Sequence, residues 1–143
     1  MLIGDMNIAP TRIDGHPNLR TSPVQHVFNR TDFNAKFLDA RNEASMRGVD
    51  VFRSLHGEKR AYTYHGRSQP WGKSCDRVDL VICSRGLVER EAVVGCDICD
   101  SPAERGHSDH VPVWVAIDLD TMQNSPGINQ TTQEKQQKLL EDS

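Results

Sequence analysis

No stretch of this sequence approaches the run of about 20 apolar residues that a membrane-spanning helix needs. Hydrophobic residues make up 36% of its 143 residues, and its mean hydropathy is -0.59. These values are typical of a soluble protein that has a polar portion and enough chain for a modest core. We therefore expect no membrane partner.

The sequence also lacks an excess of positive charge, because its formal net charge is -3. A chain of this charge has no overall electrostatic attraction to nucleic acid. A DNA partner would have to be held by a local basic surface or by bound cations. Composition therefore neither supports nor excludes DNA as a partner.

A second cysteine pair is missing as well. The four cysteines are Cys75, Cys83, Cys96 and Cys99, and only the last two have the C-x-x-C spacing of half a zinc site. Without another such pair or paired histidines nearby, structural or incidental thiols are favoured over zinc. Reduced thiols and the lack of a signal-peptide pattern predict an intracellular protein. These features do not distinguish the nucleus from the cytoplasm, and of the two we expect the nucleus.

The first part of the chain alternates between a strand, a loop and a helix. Residues 1 to 8 begin as an apolar run that ends in Gly and Asp, as the end of a buried strand does. Residues 9 to 29 have the proline and glycine content of a loop around a site. A helix is predicted over 32 to 45 with Thr31 as its N-cap, and a short apolar turn or helix follows over 49 to 56.

Four further strands are predicted, over 61 to 65, 78 to 83, 93 to 98 and 111 to 119. Residues 1 to 120 then form one folded unit. Residues 121 to 143 have almost no apolar content, so they are predicted to be a disordered tail with a frayed helix near 138 to 141.

Polar side chains that suit catalysis recur where the predicted strands end. The three clusters are Asp5 with Asn7, Asp76 with Asp79, and Asp109 with His110. Loops at strand ends are held by a rigid sheet yet stay open to ligand, so distant residues can converge there. Taken singly, each cluster is more often a turn, a surface ion pair or a capped loop.

The order of the clusters carries more information than any one of them. Gly4-Asp5-Met6-Asn7, then Arg77-Val78-Asp79, then Ser108-Asp109-His110-Val111-Pro112-Val113 resembles the signature of the endonuclease/exonuclease/phosphatase superfamily. Segments 50 to 56, 61 to 64 and 83 to 87 resemble its exonuclease III and abasic-site (AP) endonuclease branch. The resemblance implies an α/β (α+β) fold, a DNase I-like four-layer sandwich of two β-sheets flanked by helices. This chain would supply only its C-terminal half.

The resemblance also implies a role for each cluster in hydrolysing a phosphodiester of DNA. Asp5 would orient and deprotonate the attacking water, and Asn7 would hydrogen-bond the phosphate or that water. His110 would contact the phosphoryl oxygen, with Asp79 accepting its other N–H and fixing its tautomer. The implied cofactor is Mg²⁺, with Mn²⁺ as the alternative, held by Asp5, Asn7, Asp109 and His110.

Substrate contacts are implied for three more residues. Tyr64 matches one aromatic residue of the pocket that receives an extruded abasic sugar in this family. Asp76 stands where such enzymes carry an apolar ring, a departure that weakens strict abasic specificity. Trp71 would supply a replacement ring or serve as a packing anchor, two alternatives that stay open. Arg77 is the strongest of several arginines predicted to contact the DNA backbone.

Several functions share this signature. The runner-up is the endonuclease module of a non-LTR retrotransposon, and phospholipid phosphodiesterases and inositol phosphatases share the signature more loosely. Family members carry a metal-binding Asn and Glu and a Tyr before the Gly-Asp-x-Asn strand, so a missing N-terminal half is a further expected partner. A non-catalytic half that binds DNA or a partner is the alternative from another class. We expect the isolated chain to expose apolar sheet surface and to have little or no nuclease activity.

Overall fold

The computed structural model describes residues 1–123 of the chain as a mixed α/β fold with small antiparallel sheets. The strands are β1 (Leu2–Asp5), β2 (Gly15–His16), β3 (Val49–Asp50), β4 (Tyr64–His65), β5 (Cys75–Asp76), β6 (Asp79–Cys83), β7 (Val93–Ile98) and β8 (Val113–Ile117). The α-helices are α1 (Gln25–Phe33), α2 (Val51–His56), α3 (Arg85–Glu89), α4 (Pro102–Arg105) and α5 (Leu119–Gln123).

Strand β6 forms the centre of the first sheet. It pairs antiparallel with β1 on one side and with β3 on the other, and Leu80 and Val81 are buried within it. The apolar run of β6 fits this position because a central strand is covered on both faces. Its register with β1 sets Asp5 directly opposite Asp79.

The other two sheets complete the framework. In the second sheet β5 lies between β2 and β4, and in the third β7 and β8 form an antiparallel pair. An isolated bridge between Tyr64 and His110 connects the second sheet to the segment that leads into β8. The main core lies between the β7–β8 pair, β6 and α2. It comprises Val51, Phe52, Ala61, Val81, Cys83, Cys96, Ile98 and Val111.

The predicted helix over 32 to 45 is wrong in both bounds. Helix α1 begins at Gln25 and ends at Phe33, and a π-helical turn continues it over Asn34–Leu38. Thr31 is therefore inside the helix, where its hydroxyl donates to the carbonyl of Val27 at 3.0 Å, and does not cap it. Apolar spacing failed here because no residue of α1 is fully buried.

The prediction of a buried first strand is also wrong. Leu2 is 36% exposed and Ile3 is 49% exposed. Among residues 1–123, only β6 pairs with β1, so one edge of this apolar strand has no neighbour.

The other four strand predictions hold, and three of these strands, β4, β6 and β8, are shorter than predicted. The range predicted for β7 is confirmed, and β6 and β8 lie inside their predicted ranges. Helix α5 crosses the predicted boundary at residue 120. The predicted tail from residue 124 onward, including its frayed helix, lies outside the described residues. Within the described part of the chain, no helix is both long and apolar enough to cross a membrane.

Candidate active site

The paired ends of β1 and β6 bring the first two predicted clusters together. Asp5 is the last residue of β1 and is the register partner of Asp79, the first residue of β6. The chain turns sharply after Asp5, because Asn7 has a positive φ of 53° and its N–H donates to Asp5 Oδ1 at 2.8 Å. Asparagine tolerates this left-handed conformation better than most residues. Asp5 and Asn7 are both exposed at this turn.

The third cluster joins them through His110. The distance between His110 Nδ1 and Asp79 Oδ2 is 2.7 Å, and both side chains are partly buried. A carboxylate at this distance holds Nδ1 as the protonated nitrogen, which leaves Nε2 as the nitrogen that can face a substrate. Tyr64 packs edge-on against the His110 ring with centroids 5.4 Å apart. The predicted contact between Asp79 and His110 is therefore present in the structure.

Thr63 is a residue that the sequence analysis missed. Its buried hydroxyl oxygen accepts hydrogen bonds from the N–H groups of Val78 at 2.9 Å and Asp79 at 3.0 Å. Its carbonyl accepts from Val111 N, the residue after His110, at 2.8 Å. Thr63 thus positions the backbone on both sides of the Asp79–His110 pair. The signal that could have revealed it is a threonine inside the strand predicted over 61 to 65, because a hydroxyl that becomes buried needs partners.

Replacing Thr63 by Val should lower the free energy of unfolding by about 1–3 kcal/mol, because the side chain keeps its shape while two buried N–H groups lose their acceptor. Urea unfolding followed by circular dichroism measures this loss. Thr63→Ser, which keeps the hydroxyl, is the matched comparison, and the Val variant should be clearly the less stable of the two. Equal stability of both variants would contradict the positioning role.

The prediction that Arg77 contacts the DNA backbone is wrong. Its side chain is buried, and its Nε donates to Asp14 Oδ1 at 2.6 Å. Its two Nη atoms donate to the carboxylate of Asp50 at 3.1 and 2.6 Å. Arg53 also pairs with Asp14. A guanidinium enclosed by two carboxylates does not reach a phosphate at the surface, so Arg77 ties β2, β3 and β5 together behind the site.

The acid–base properties of Asp14 follow from this network. Burial by itself would raise the pKa of Asp14, but the hydrogen bond and charge of Arg77, with help from Thr11 and Arg53, hold the pKa below its usual value of 3.8. The carboxylate is therefore charged in the folded chain at neutral pH, where it requires its arginine partners.

Trp71 lies in a packed position. Its ring stacks on the buried imidazole of His65, with centroids 3.5 Å apart and an interplanar angle of 10°. His65 Nε2 is 2.9 Å from Asp100 Oδ1, although burial dominates and lowers the pKa of His65 below its usual value. The guanidinium of Arg105 covers the Trp71 ring at 5.1 Å. Of the two alternatives for Trp71, the structure favours the packing anchor over a ring that contacts substrate.

Asp76, which stands where the family resemblance implied an apolar ring, forms an ion pair with Arg20. Asp76 is buried and its Oδ2 is 2.7 Å from Arg20 Nη2, whose guanidinium also lies over the Tyr64 ring at 4.8 Å. Burial raises the pKa of Asp76, and the positive charge of Arg20 opposes that rise. Tyr64 thus shares its face with a cation where the family resemblance implied an apolar ring.

The predicted metal ligands are only partly assembled. Asp109 is exposed, and its carbonyl accepts from His65 N at 2.8 Å. Among residues 1–123, no three His, Cys, Asp or Glu side chains lie close enough together to hold a metal ion. Mg²⁺ is commonly held by one or two carboxylates, with waters and substrate phosphate filling its other positions. The exposed carboxylate of Asp5, with the amide of Asn7 nearby, fits that pattern and does not fit an all-protein metal cage.

The cysteines lie away from this chemistry. Cys75, Cys83 and Cys96 are buried, and Cys99 is half-buried. Burial raises the pKa of Cys75 to about 12 and that of Cys96 to about 11. Zinc and redox chemistry need a thiolate, so these high pKa values favour structural thiols.

Comparison with known proteins supports one resemblance. No protein-family model and no curated protein matches the sequence. Among solved structures, the chain is similar to an AP endonuclease from Archaeoglobus fulgidus, with a TM-score of 0.59 and 27% sequence identity. The match covers 81% of this chain and 44% of that structure, so the chain spans less than half of the endonuclease's length.

This similarity supports the resemblance to the AP endonuclease and DNase I-like superfamily. The mixed α/β architecture with its antiparallel sheets is consistent with an AP endonuclease-like fold. Fold alone does not define function, so the chemistry must come from the site itself.

Proposed function

We propose that this chain carries the C-terminal half of a metal-dependent phosphodiesterase that cleaves DNA. The observation that carries the proposal is the hydrogen-bonded pair of His110 and Asp79, 2.7 Å apart, with Asp5 as the register partner of Asp79. A positioned base, a histidine and its carboxylate partner are the groups that phosphodiester hydrolysis needs. The similarity to an AP endonuclease agrees with this assignment.

Each residue then has a defined task. Asp5, exposed at the end of β1, orients the attacking water and accepts its proton. Asn7, held in its turn by the bond to Asp5, presents its amide to the phosphate. As an imidazolium, His110 donates from Nε2 to the phosphoryl oxygen while its Nδ1–H donates to Asp79. Charge that develops on the phosphate is stabilised by donors already in place.

A hard cation, Mg²⁺ with Mn²⁺ as the alternative, would neutralise phosphate charge when bound through the side chains of Asp5 and Asn7, with Asp109 and His110 as the further proposed ligands. We propose that a first half supplies the remaining metal ligands and completes a four-layer sandwich. The exposed apolar edge of β1 supports this part of the proposal, since Leu2 and Ile3 would be covered by such a half. A DNA substrate also favours the nucleus over the cytoplasm.

Strict specificity for abasic sites is not part of the proposal. Asp76 and Arg20 form an ion pair beside Tyr64, where an extruded sugar would need an apolar pocket. This favours, as the second candidate, a retrotransposon-type endonuclease that cleaves intact duplex. Abasic, intact and AT-rich duplexes should therefore be cleaved at similar rates, or AT-rich DNA should be preferred. A preference for abasic DNA of roughly 100-fold or more, the discrimination that well-fitted contacts give, would instead favour an AP endonuclease.

A chimeric enzyme tests the proposed function directly. In the chimera this chain replaces the segment of the archaeal AP endonuclease that it matches. We expect Mg²⁺-dependent cleavage of duplex DNA, and its loss in Asp5→Ala. A chimera that folds and binds DNA but does not cleave would favour the non-catalytic alternative.

The isolated chain should behave differently. We expect it to be aggregation-prone and to cleave DNA slowly or not at all, because an unpaired apolar strand edge remains exposed. Size-exclusion chromatography and a gel-based cleavage assay in Mg²⁺ measure both properties. Cleavage at the rate of a full-length relative, abolished by Asp5→Ala, would contradict this prediction.

A further inference from the structure

A small cavity beside Asn7 carries a charge pattern that the proposed chemistry does not use. Ile8 and Val78 form its apolar side. Its polar side is formed by Asn7, Arg20, His26, Arg30 and Asp76. Its location next to Asn7 places it beside the proposed position of the scissile phosphate.

The polar side is predominantly cationic. His26 and Arg30 lie one turn apart on α1 and so share a face of that helix. Arg30 Nη2 donates to the carbonyl of Arg20 at 3.0 Å, which fixes the two arginines beside each other. Two arginines and one carboxylate leave a net positive charge, and Asp76 is the one acidic residue among the lining side chains.

The size of the cavity limits what can bind. Its volume is about 10 Å³, room for roughly one water molecule, so neither a deoxyribose nor a phosphate fits inside. A ligand must bind at the rim, where the side chain of Arg20 is 38% exposed. The salt bridge to Asp76 uses Nη2 of Arg20, while a guanidinium has five N–H donors in all. Arg20 therefore has donors for a second anion.

We propose that Arg20 and Arg30, with His26, form a second phosphate-binding subsite beside the cleavage site. This subsite would recognise a flanking phosphate next to the scissile bond, in place of an extruded sugar. DNA as the source of that phosphate rests on the proposed function. Arg20 is the specificity-determining residue because it bridges the buried Asp76 carboxylate, the Tyr64 ring and the incoming phosphate. The ligand is a phosphate group, supplied either by a DNA backbone or as a free phosphate.

Salt-dependent DNA binding by the full 143-residue chain tests the subsite. Fluorescence anisotropy with a labelled intact duplex in EDTA gives the slope of log Kobs against log salt concentration. Each phosphate contact contributes roughly 0.9 to that slope, so Arg30→Gln should reduce it by about that amount and weaken binding several-fold. Arg20→Gln should do the same, and Arg20→Lys, which keeps the charge, should retain most of the slope.

The matched control is Arg41→Gln. It makes the same change in charge at a side chain that is 94% exposed and does not line the cavity. Its slope should equal that of the unaltered chain. Arg20→Gln removes the salt bridge to Asp76 and so could unfold the chain by leaving that buried carboxylate unpaired. Arg30 lies within salt-bridge distance of no carboxylate among the described residues, so Arg30→Gln tests the subsite without this problem.

A second arm uses inorganic phosphate alone. Titration of phosphate into the ¹⁵N-labelled chain should shift the side-chain Nε–H signals of Arg20 and Arg30 and leave that of Arg41 unchanged. Unaltered slopes in the Arg20 and Arg30 variants, with no phosphate-induced shifts, would overturn the subsite while DNA binding itself still supports the proposed function. Shifts without any DNA binding would support the subsite with free phosphate as its ligand and overturn a DNA phosphate as its ligand, while the proposed function is decided separately by cleavage in the chimera.

Discussion

Arg77→Met should lower the free energy of unfolding by about 3–5 kcal/mol, the usual cost of removing one partner from a buried ion pair. The substitution leaves two carboxylates, Asp14 and Asp50, without the guanidinium that they share. Asp14 is fully buried, and within the described part of the chain it keeps only Arg53 as a charged partner. A domain's total stability is roughly 5–15 kcal/mol, so the variant should lose a large fraction of its stability.

Urea unfolding of the Arg77→Met variant by circular dichroism measures this effect, with Arg41→Met as the exposed control. The control should change stability by less than about 0.5 kcal/mol. Asp14→Asn/Arg77→Met should recover part of the loss, because it removes a charge that the single variant leaves unpaired. A loss below about 1 kcal/mol in Arg77→Met would contradict the role of Arg77 as the centre of the network.

The pH dependence of that loss has a defined sign. The folded-state pKa of Asp14 is lowered, so its ionised form contributes stability above the ordinary pKa of 3.8, and this contribution disappears as pH falls through the folded value. In Arg77→Met the contribution is reduced at neutral pH already. The stabilities of the variant and the unaltered chain should therefore converge below pH 3.8.

The sequence predicts the strands of this fold better than its helix. Strand β7 has the predicted bounds because two of its apolar residues, Cys96 and Ile98, are buried in the core with α2. Helix α1 has no fully buried residue, so apolar spacing contains little information about where it begins. The exposure of β1 depends on what covers its free edge, which is a property of tertiary contacts that local sequence does not encode.

In the candidate site too, the sequence predicted some residues correctly and missed others that depend on tertiary contacts. The motif order indicated Asp5, Asn7, Asp79 and His110, and the structure pairs Asp79 with His110. The motif did not distinguish an arginine that faces DNA from one that is buried, because Arg77 lies two residues before Asp79 in sequence but binds carboxylates 63 and 27 residues away. Thr63 was missed for a related reason, since its partners are 15 and 16 residues distant.

The Asp79–His110 pair should behave as a unit in catalysis. In the chimeric enzyme, His110→Gln should lower the single-turnover rate of duplex cleavage by about 10²–10⁴-fold, because it removes the donor to the phosphoryl oxygen. Asp79→Asn should cause a loss of similar order, because a neutral amide no longer stabilises the imidazolium that donates from Nε2. The double variant should be no slower than His110→Gln alone, since groups that act together are not additive.

Asp32→Asn is the matched control for these substitutions. It makes the same carboxylate-to-amide change as Asp79→Asn at a side chain that is 69% exposed. Among residues 1–123, the one salt bridge of Asp32 is to Lys36, in the π-helical turn that continues α1. Its cleavage rate should stay within about twofold of the unaltered chimera, as expected for a surface ion pair. Multiplicative losses in the double variant would mean that Asp79 and His110 act separately, and the 2.7 Å contact would then be structural without a part in the chemistry.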